Sequence, residues 1–351
     1  MAYTTINKST DYFNTKLYTG NGSVRTETGV GFQPDLTWIK DRTGTNAHVL
    51  TDSVRGANKQ IYTNLNNAET NASGYLTAFA SDGFTLGTDG AVNTNSSNYA
   101  SWNWKAGTTG SGTTAGSGTG KSYSYSVNTT AGFSIVSYTG NGTSGHAIPH
   151  HLGAVPSMII LKQRDAVADT LVYHHKNTSD PKTDFLRLKS NNATQDEAAI
   201  WNDTAPTSTY FYVGSETTVN GNNNTFIAYC FTEKTGYSKF GSYTGNGNAD
   251  GTFVYTGFKP AFIINKKTNN TGQWNIQDNK RDVDNPALIR MWADGTDGDT
   301  SSTSYSKDFL SNGFKIRNTN GNDNTSGDTY IYMAFAEAPL VGSNNVPCTA
   351  R

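Results

Sequence analysis

YTGNG occurs three times in this chain, at Tyr18–Gly22, Tyr138–Gly142 and Tyr243–Gly247. Working outward from each copy, further blocks follow in one fixed order. A proline-led run reads PDLTWIK from Pro34, PSMIILK from Pro156 and PAFIINK from Pro260. A later run reads SDGFTLG from Ser81, STYFYVG from Ser208 and SNGFKIR from Ser311. The closing run reads YASWNWK from Tyr99, FIAYCFT from Phe226 and YMAFAE from Tyr332. Five letters recur by chance, but four blocks in one order do not, so the chain is a tandem repeat.

Each block has the pattern of a strand or a turn. In the proline-led run Leu36/Met158/Phe262 and Trp38/Ile160/Ile264 are apolar in every copy and two residues apart, which places them on one face of a strand. Proline at the entry costs no ladder hydrogen bond there. Phe84 and Leu86, Phe211 and Val213, and Phe314 and Ile316 repeat the pattern. In the closing run Trp102, Tyr229 and Phe335 are bulky beside the small Ser101, Ala228 and Ala334, as suits a central strand with something packed behind it. Asn-Gly between β-formers predicts a hairpin turn. The stretch with helical composition, Gln195–Ile200, is short.

These signals predict an all-β protein of three tandem antiparallel β-sandwich domains, jelly-roll or concanavalin-like, with immunoglobulin-like sandwiches as the alternative. The expected divisions are 1–107 for the first copy, 123–236 for the second, 237–340 for the third and 341–351 for a polar tail. Residues 108–122, TTGSGTTAGSGTGKS, read as a flexible Gly/Ser/Thr linker. Copies two and three are joined only by Glu233–Tyr237, so that pair is expected to be stiff and the first copy mobile. The three blocks further predict that each third of the chain closes its own core.

Composition narrows the function. With 351 residues, the chain exceeds the usual size of a single core. Charged residues are only 16%, while aromatics reach 12% and the net charge is −1; this is a folded composition rather than a disordered one. The absence of a basic block argues against nucleic-acid binding. No apolar run is long enough for membrane insertion, and the polar start is no secretory signal. Cys230 and Cys348 form no disulfide framework, in keeping with synthesis in a reducing cytoplasm. Gly-x-Ser-x-Gly, HExxH and phosphate-loop motifs are absent, and the chain is expected not to be an enzyme and to use no cofactor or metal.

Several residues invite a site reading. His150-His151 and His174-His175 are histidine pairs, but neighbours on a strand point to opposite faces and the spacing fits no zinc pattern. Asp294, Asp297 and Asp299 lie in a Gly-rich loop without the closing glutamate of a calcium loop, so a solvated turn is the simpler reading and a cation within 294–299 the alternative. Trp38, Trp102 and Trp104 fall in strand blocks and read as core. Trp201, Trp274 and Trp292 fall outside the repeated pattern and are the candidate ligand-contact residues, an exposed platform for sugar rings. Lys40, Lys162 and Lys266 share one position and read as solvated strand-end lysines. The Asn-x-Ser/Thr sequons, such as Asn71 and Asn141, are those an Asn- and Thr-rich chain makes by chance.

YTGNG, GFQPDLTWIKDR (Gly31–Arg42), SDGFTLG and NYASWNWKAG (Asn98–Gly107), together with the closing EAPLVGSNNVPCTAR (Glu337–Arg351), resemble repeats in virion structural and tail-fibre-like proteins of marine bacteriophages of the cyanophage type. The resemblance is most specific in copy one. Copy two reads LGAVP before its proline run, and copy three has Asn265 where Ile39 stands. The resemblance implies a virion protein made in the host cytoplasm, tail-associated, touching other virion proteins and a host surface glycan or protein, and organised as a homo-oligomer, by analogy with phage appendages a trimer. Two alternatives are a capsid decoration or knob protein and a carbohydrate-binding module array of a bacterial surface protein.

Overall fold

The computed structural model describes residues 3–339. The first repeat comprises β1 (Phe13–Thr19), β2 (Arg25–Thr28), β3 (Leu36–Asp41), β4 (Val49–Asp52), β5 (Lys59–Tyr62), β6 (Thr70–Asn71), β7 (Leu76–Ala80), β8 (Gly83–Leu86), a helical turn α1 (Gly90–Asn93) and β9 (Asn98–Trp104). A six-stranded sheet in the order β1-β9-β3-β4-β5-β6 lies against a three-stranded sheet, β2-β8-β7. All pairings are antiparallel. First and last strands pair, so the unit closes on itself, and the chain leaves near where it entered.

The next segment is β-structured: β10 (Thr108–Thr113), β11 (Ala115–Gly116) and β12 (Ser122–Asn128). This corrects the expectation of a flexible linker over 108–122. β10 and β12 extend the large sheet of the second unit, and β11 joins its small sheet. The reason lies across the strand pair. Gly110 faces Tyr125 and Gly112 faces Tyr123, and a Cβ at either glycine would meet the nearest tyrosine ring carbon at 2.7 and 3.0 Å. The glycines leave room for rings to lie over the backbone, the way aromatics rescue glycine in a sheet.

The second unit contains β13 (Phe133–Thr139), β14 (His146–Pro149), β15 (Met158–Gln163), β16 (Thr170–His174), β17 (Asp184–Arg187), β18 (Gln195–Asp196), α2 (Ala198–Trp201), β19 (Tyr210–Val213), α3 (Thr217–Asn220) and β20 (Thr225–Phe231). The third contains β21 (Ser238–Thr244), β22 (Phe253–Tyr255), β23 (Phe258–Lys267), β24 (Asn275–Asp278), β25 (Ile289–Trp292), β26 (Thr300–Ser301), β27 (Lys307–Leu310), β28 (Gly313–Ile316) and β29 (Thr329–Pro339). Both repeat the first unit's order, as β13-β20-β15-β16-β17-β18 and β21-β29-β23-β24-β25-β26. In the second unit α2 replaces the β7-type strand, and β11 supplies the third strand of the small sheet from the opposite side. Register places Tyr99, Phe226 and Tyr330 opposite the YTGNG tyrosines. The closing block of copy three therefore starts at Tyr330, two residues before the start read from the sequence. Phe335 matches Trp104 and Phe231, and Met333 matches Trp102 and Tyr229. An even offset keeps the face assignment intact, which is why period two alone could not reveal it.

YTGNG is not a hairpin. β1 and β2 lie in different sheets, and the motif carries the chain between them. Its tyrosine, asparagine and both glycines have partners on the segment before the last strand. The hydroxyls of Tyr18, Tyr138 and Tyr243 donate to the carbonyls of Val92, Val219 and Asp323 at 2.6–2.9 Å. The next residues, Asn93, Asn220 and Asn324, are wholly buried. Their Oδ1 atoms accept from the N–H of Asn21, Asn141 and Asn246, each at 2.9 Å, and their carbonyls accept from Gly22, Gly142 and Gly247. The leading glycine passes so close that a Cβ on Gly20, Gly140 or Gly245 would stand 2.2–2.3 Å from a backbone oxygen. Gly140→Ala is accordingly expected to destabilise the protein by about 1–3 kcal/mol, the range for an overpacked site. A chemical-denaturation midpoint unchanged from wild type would contradict this.

The three units have separate cores and one in common. Each has its own sheet-on-sheet core, for example Tyr18, Ile39, Phe84, Leu86 and Tyr99 in the first. The opposite faces of all three large sheets converge in one further cluster, which takes Leu36, Trp38 and Trp102 from the first unit, Met158, Ile160 and Tyr229 from the second, and Phe262, Ile264 and Met333 from the third. At its centre the equivalent Trp104, Phe231 and Phe335 form a triangle with ring centroids 5.7–6.3 Å apart. This explains why β3 and β15 are buried along their whole length. Each third therefore closes its own layered core, as expected, and shares a second one with its neighbours; the expectation corrected is that of a mobile first copy, which is clasped.

Contacts between units run head to tail around a closed ring. Glu69 N–H donates to the Arg164 carbonyl, Thr194 N–H to Thr268 and Asp299 N–H to Arg42, at 2.7–2.8 Å. These are the first-to-second, second-to-third and third-to-first seams at equivalent positions. Deeper in, Asp52, His174 and Asp278 are also equivalent. Tyr229 donates to Asp52 at 2.7 Å, His174 to the Tyr332 carbonyl at 3.2 Å, and Trp102 Nε1 to Asp278 at 3.1 Å. A heterologous contact repeated until it closes is the rule for cyclic oligomers, and one chain satisfies it here by itself.

Lys40, Lys162 and Lys266 belong to these seams rather than to solvent. Their relative exposure is 0, 1 and 0%. Lys162 donates to the carbonyl of Asn66 in the first unit, and Lys266 to that of Asn191 in the second. Burial pushes each ammonium down to about 8. The strand-end reading fails because the end of this strand is covered by a loop of the neighbouring unit.

Candidate functional site

Three equivalent loop clusters present exposed polar side chains. In each unit the YTGNG loop stands beside the loop that precedes the last strand, at the strand end away from the aromatic triangle, a separation of ~20 Å along a seven-residue strand. The clamp asparagines hold the backbone, while the outward residues differ. Asn21, Ser23, Asn95 and Ser96 are exposed in the first unit, Thr143, Ser144, Asn222 and Asn223 in the second, and Asn246, Asn248, Asp250 and Ser326 in the third. A fixed frame with small polar tips of changing identity is suited to hydrogen-bonded recognition of a polar surface. Two tips carry distinct charge features. Lys121 donates to Asn223 at 2.7 Å, and Asp250 pairs with Lys315 and Arg317. Sequence reasoning treated these loops as turns; the recurring buried asparagine, three times ahead of the last strand, was the available signal.

The tryptophans chosen from sequence do not form a platform. Trp201, Trp274 and Trp292 are 2, 1 and 6% exposed. Trp201 packs edge-on to Tyr173 in the second unit's core. Trp274 donates Nε1 to the Arg187 carbonyl across the second-to-third seam. Trp292 holds the Arg290 guanidinium 3.8 Å over its ring, and its carbonyl meets His48 of the first unit at 3.0 Å. Trp274 and Trp292 fall outside the strand blocks because they serve inter-unit seams, which periodicity within one copy cannot reveal.

The histidine pairs are likewise structural. His150 bonds the Thr207 carbonyl, His151 stacks on Tyr125 at 3.7 Å, and His175 bonds the Phe240 carbonyl at 2.7 Å. Among the described residues no group of three His, Cys, Asp or Glu side chains is placed to share a metal ion. The aspartate loop is a strap at Asp294 and Asp299, while Asp297 between them is exposed, as the solvated-turn reading has it. Asp299 bridges Arg42 of the first unit and Arg281 of its own, at 2.7 and 2.9 Å. Burial raises Asp294 to about 6 while it accepts from Trp274 N–H. Cys230 is buried and its thiol is pushed up by desolvation. Cys348 and the tail 341–351 lie outside the described residues. Among the described residues, no helix is long and apolar enough to cross a membrane.

Burial gives the fold an acid limit. Desolvation lowers His174 to about 3 and His150 to about 4, and drives His48 well below its ordinary value. In the unfolded chain these imidazoles protonate near 6.5. The unfolded state therefore binds more protons below that pH. Stability is fully present above about 6.5 and falls as pH drops toward 3. Asp294 opposes this trend, since its raised value favours the folded state on acidification. Between pH 6.5 and 5 most carboxylates stay ionised, so the histidines dominate. A falling denaturation midpoint over that window, flattened in His174→Asn, is the expected result; a midpoint constant from pH 7 to 5 would refute it.

Comparison with curated proteins and with solved structures returns no match. The family described as Domain of unknown function (DUF7483) matches residues 8–339, which takes in all three units and every seam between them. The chain belongs to the DUF7483 family.

Proposed function

We propose that this protein is a non-enzymatic structural component of a bacteriophage virion, tail-associated, that contacts the host surface through its loop clusters. The sequence resemblance of copy one suggests the setting. The observation that carries the reading is the ring: three copies of one loop frame, held rigidly by a shared core, with tips that vary while the clamp beneath them does not. Several weak contacts on one body, multiplied over a particle, give avidity without any single strong site. Rigidity helps because little conformational freedom is lost on contact. The partners in this reading are other virion proteins and a host surface glycan or protein.

The described residues form a closed ring, and that shape also favours a capsid decoration or knob role. Mass spectrometry of purified particles followed by immunogold labelling separates the outcomes. Peptides from this chain with gold at the tail support the proposal. Gold over the head moves the protein to the decoration reading, and absence from particles defeats both.

A further inference from the structure

The three seams are built alike but not finished alike. At the first-to-second seam Arg55, Glu69 and Arg164 form an ion triad, with Arg55 to Glu69 at 3.2 Å and Arg164 to Glu69 at 2.9 Å. At the third-to-first seam Arg281, Asp299 and Arg42 do the same at 2.9 and 2.7 Å. The equivalent positions at the second-to-third seam hold Asn177, Thr194 and Thr268. Three short neutral side chains stand where two arginines and an acid fill the other seams, and a cleft of about 680 Å³ opens there, lined by all three. Asn177 is 5% exposed, and its Oδ1 accepts from Thr194 at 2.7 Å. Its Nδ2, shielded from solvent, has no hydrogen-bond partner. A buried amide N–H₂ left unpaired costs about 1–3 kcal/mol, so such a group marks a place where a partner belongs.

We propose that this cleft is a saccharide-binding site, one per chain, created by the loss of the ion triad at the second-to-third seam. The lining chemistry selects the ligand class. Of twelve lining residues, seven are serines or threonines, two carry carboxamides and one is Lys176, while the Tyr243 hydroxyl is turned inward to the Asp323 carbonyl. Carboxylates are missing from that set, so the cleft is not designed to hold a cation. Hydroxyl and amide groups both donate and accept, which matches a polyhydroxylated ring. The volume lies within the range of small-ligand clefts. Lys176 supplies the single charge at the rim, so sugars with or without one carboxylate fit. The site adjoins the third unit's loop cluster, sharing Tyr243 and Thr244 with it, but it forms once per chain, whereas the loop clusters would bind three times.

The test uses the full chain on a glycan array, followed by titration calorimetry with the best-bound saccharide. Saturable binding at one site per chain is expected. The double substitution Asn177→Arg with Thr194→Glu restores two of the three missing triad members, an arginine and its acid, inside the cleft and should weaken binding at least about tenfold. Thr178→Trp, at an exposed rim position, should block entry without entering the core. If the double variant does not fold, the rim variant decides. Failure of every saccharide to bind, a stoichiometry of three, or affinity unchanged by the substitutions would overturn the inference. Particle mass spectrometry bears on the virion reading alone, so either idea can fail without the other.

Discussion

Expressed alone, residues 1–107 yield no folded monomer; folded material appears only together with trimerisation. The inner face of this unit carries Leu36, Trp38, Leu50, Ile61, Trp102 and Trp104, all within the core shared by the three units. Leaving such side chains in water forfeits about 1.5–3 kcal/mol each. Six of them approach the whole net stability of a domain, of order 5–15 kcal/mol. Copy one is also the one copy that can close a ring with itself. It holds both halves of a complete seam: Asp52, Arg55 and Glu69 on one side, Arg42 and Trp102 on the other. Copy two would set Arg164 against Thr194, and copy three would set Asp299 against Thr268, so neither can rebuild the triad. Three copies of Trp104 would crowd the axis where the native ring has one tryptophan and two phenylalanines, a cost of about 1–3 kcal/mol that lowers trimer affinity. Analytical ultracentrifugation with circular dichroism reads the outcome. A monodisperse monomer with a cooperative melt would show that the shared core is not essential.

Arg281→Met is expected to cost about 3–5 kcal/mol, the scale for breaking a buried ion pair from one side. Arg281 and Asp278 side chains are both inaccessible to solvent and 2.6 Å apart. Removing the guanidinium strands the Asp278 carboxylate in the interior with only Trp102 and local N–H groups as donors, and releases Asp299 from one of its two arginines. It also removes the cation held 5.4 Å over the Trp102 ring. The damage falls on the third-to-first seam, so the ring should open there first. Pairing Arg281→Met with Asp278→Leu should recover much of the loss, because two apolar side chains leave no orphaned charge. Equilibrium denaturation of the single and double variants measures this. Equal destabilisation in both would mean that packing rather than charge governs the position.

How much of this was legible in the residues depends on the range of the interaction. Period two in the proline-led and closing runs marked the strands and their faces, because alternation is a local property of an extended backbone. The repeat marked three equivalent units. YTGNG showed that something recurred, but its role as a sheet-to-sheet crossing clamped by a distant asparagine needed partners 72–79 residues away.

What the amino-acid order determined by itself is the all-β class, the threefold repetition and the set of side chains that must leave water. Only the tertiary structure decided what those side chains pack against. Burial is non-directional, so an apolar face states that it is covered without stating by what. Trp104, Phe231 and Phe335 meet one another rather than a partner sheet within their own unit. Trp274, Trp292 and the three lysines are covered by neighbouring units. Gly110 and Gly112 become strand because tyrosines cross over them. In each case the deciding contact lies outside the segment that was read.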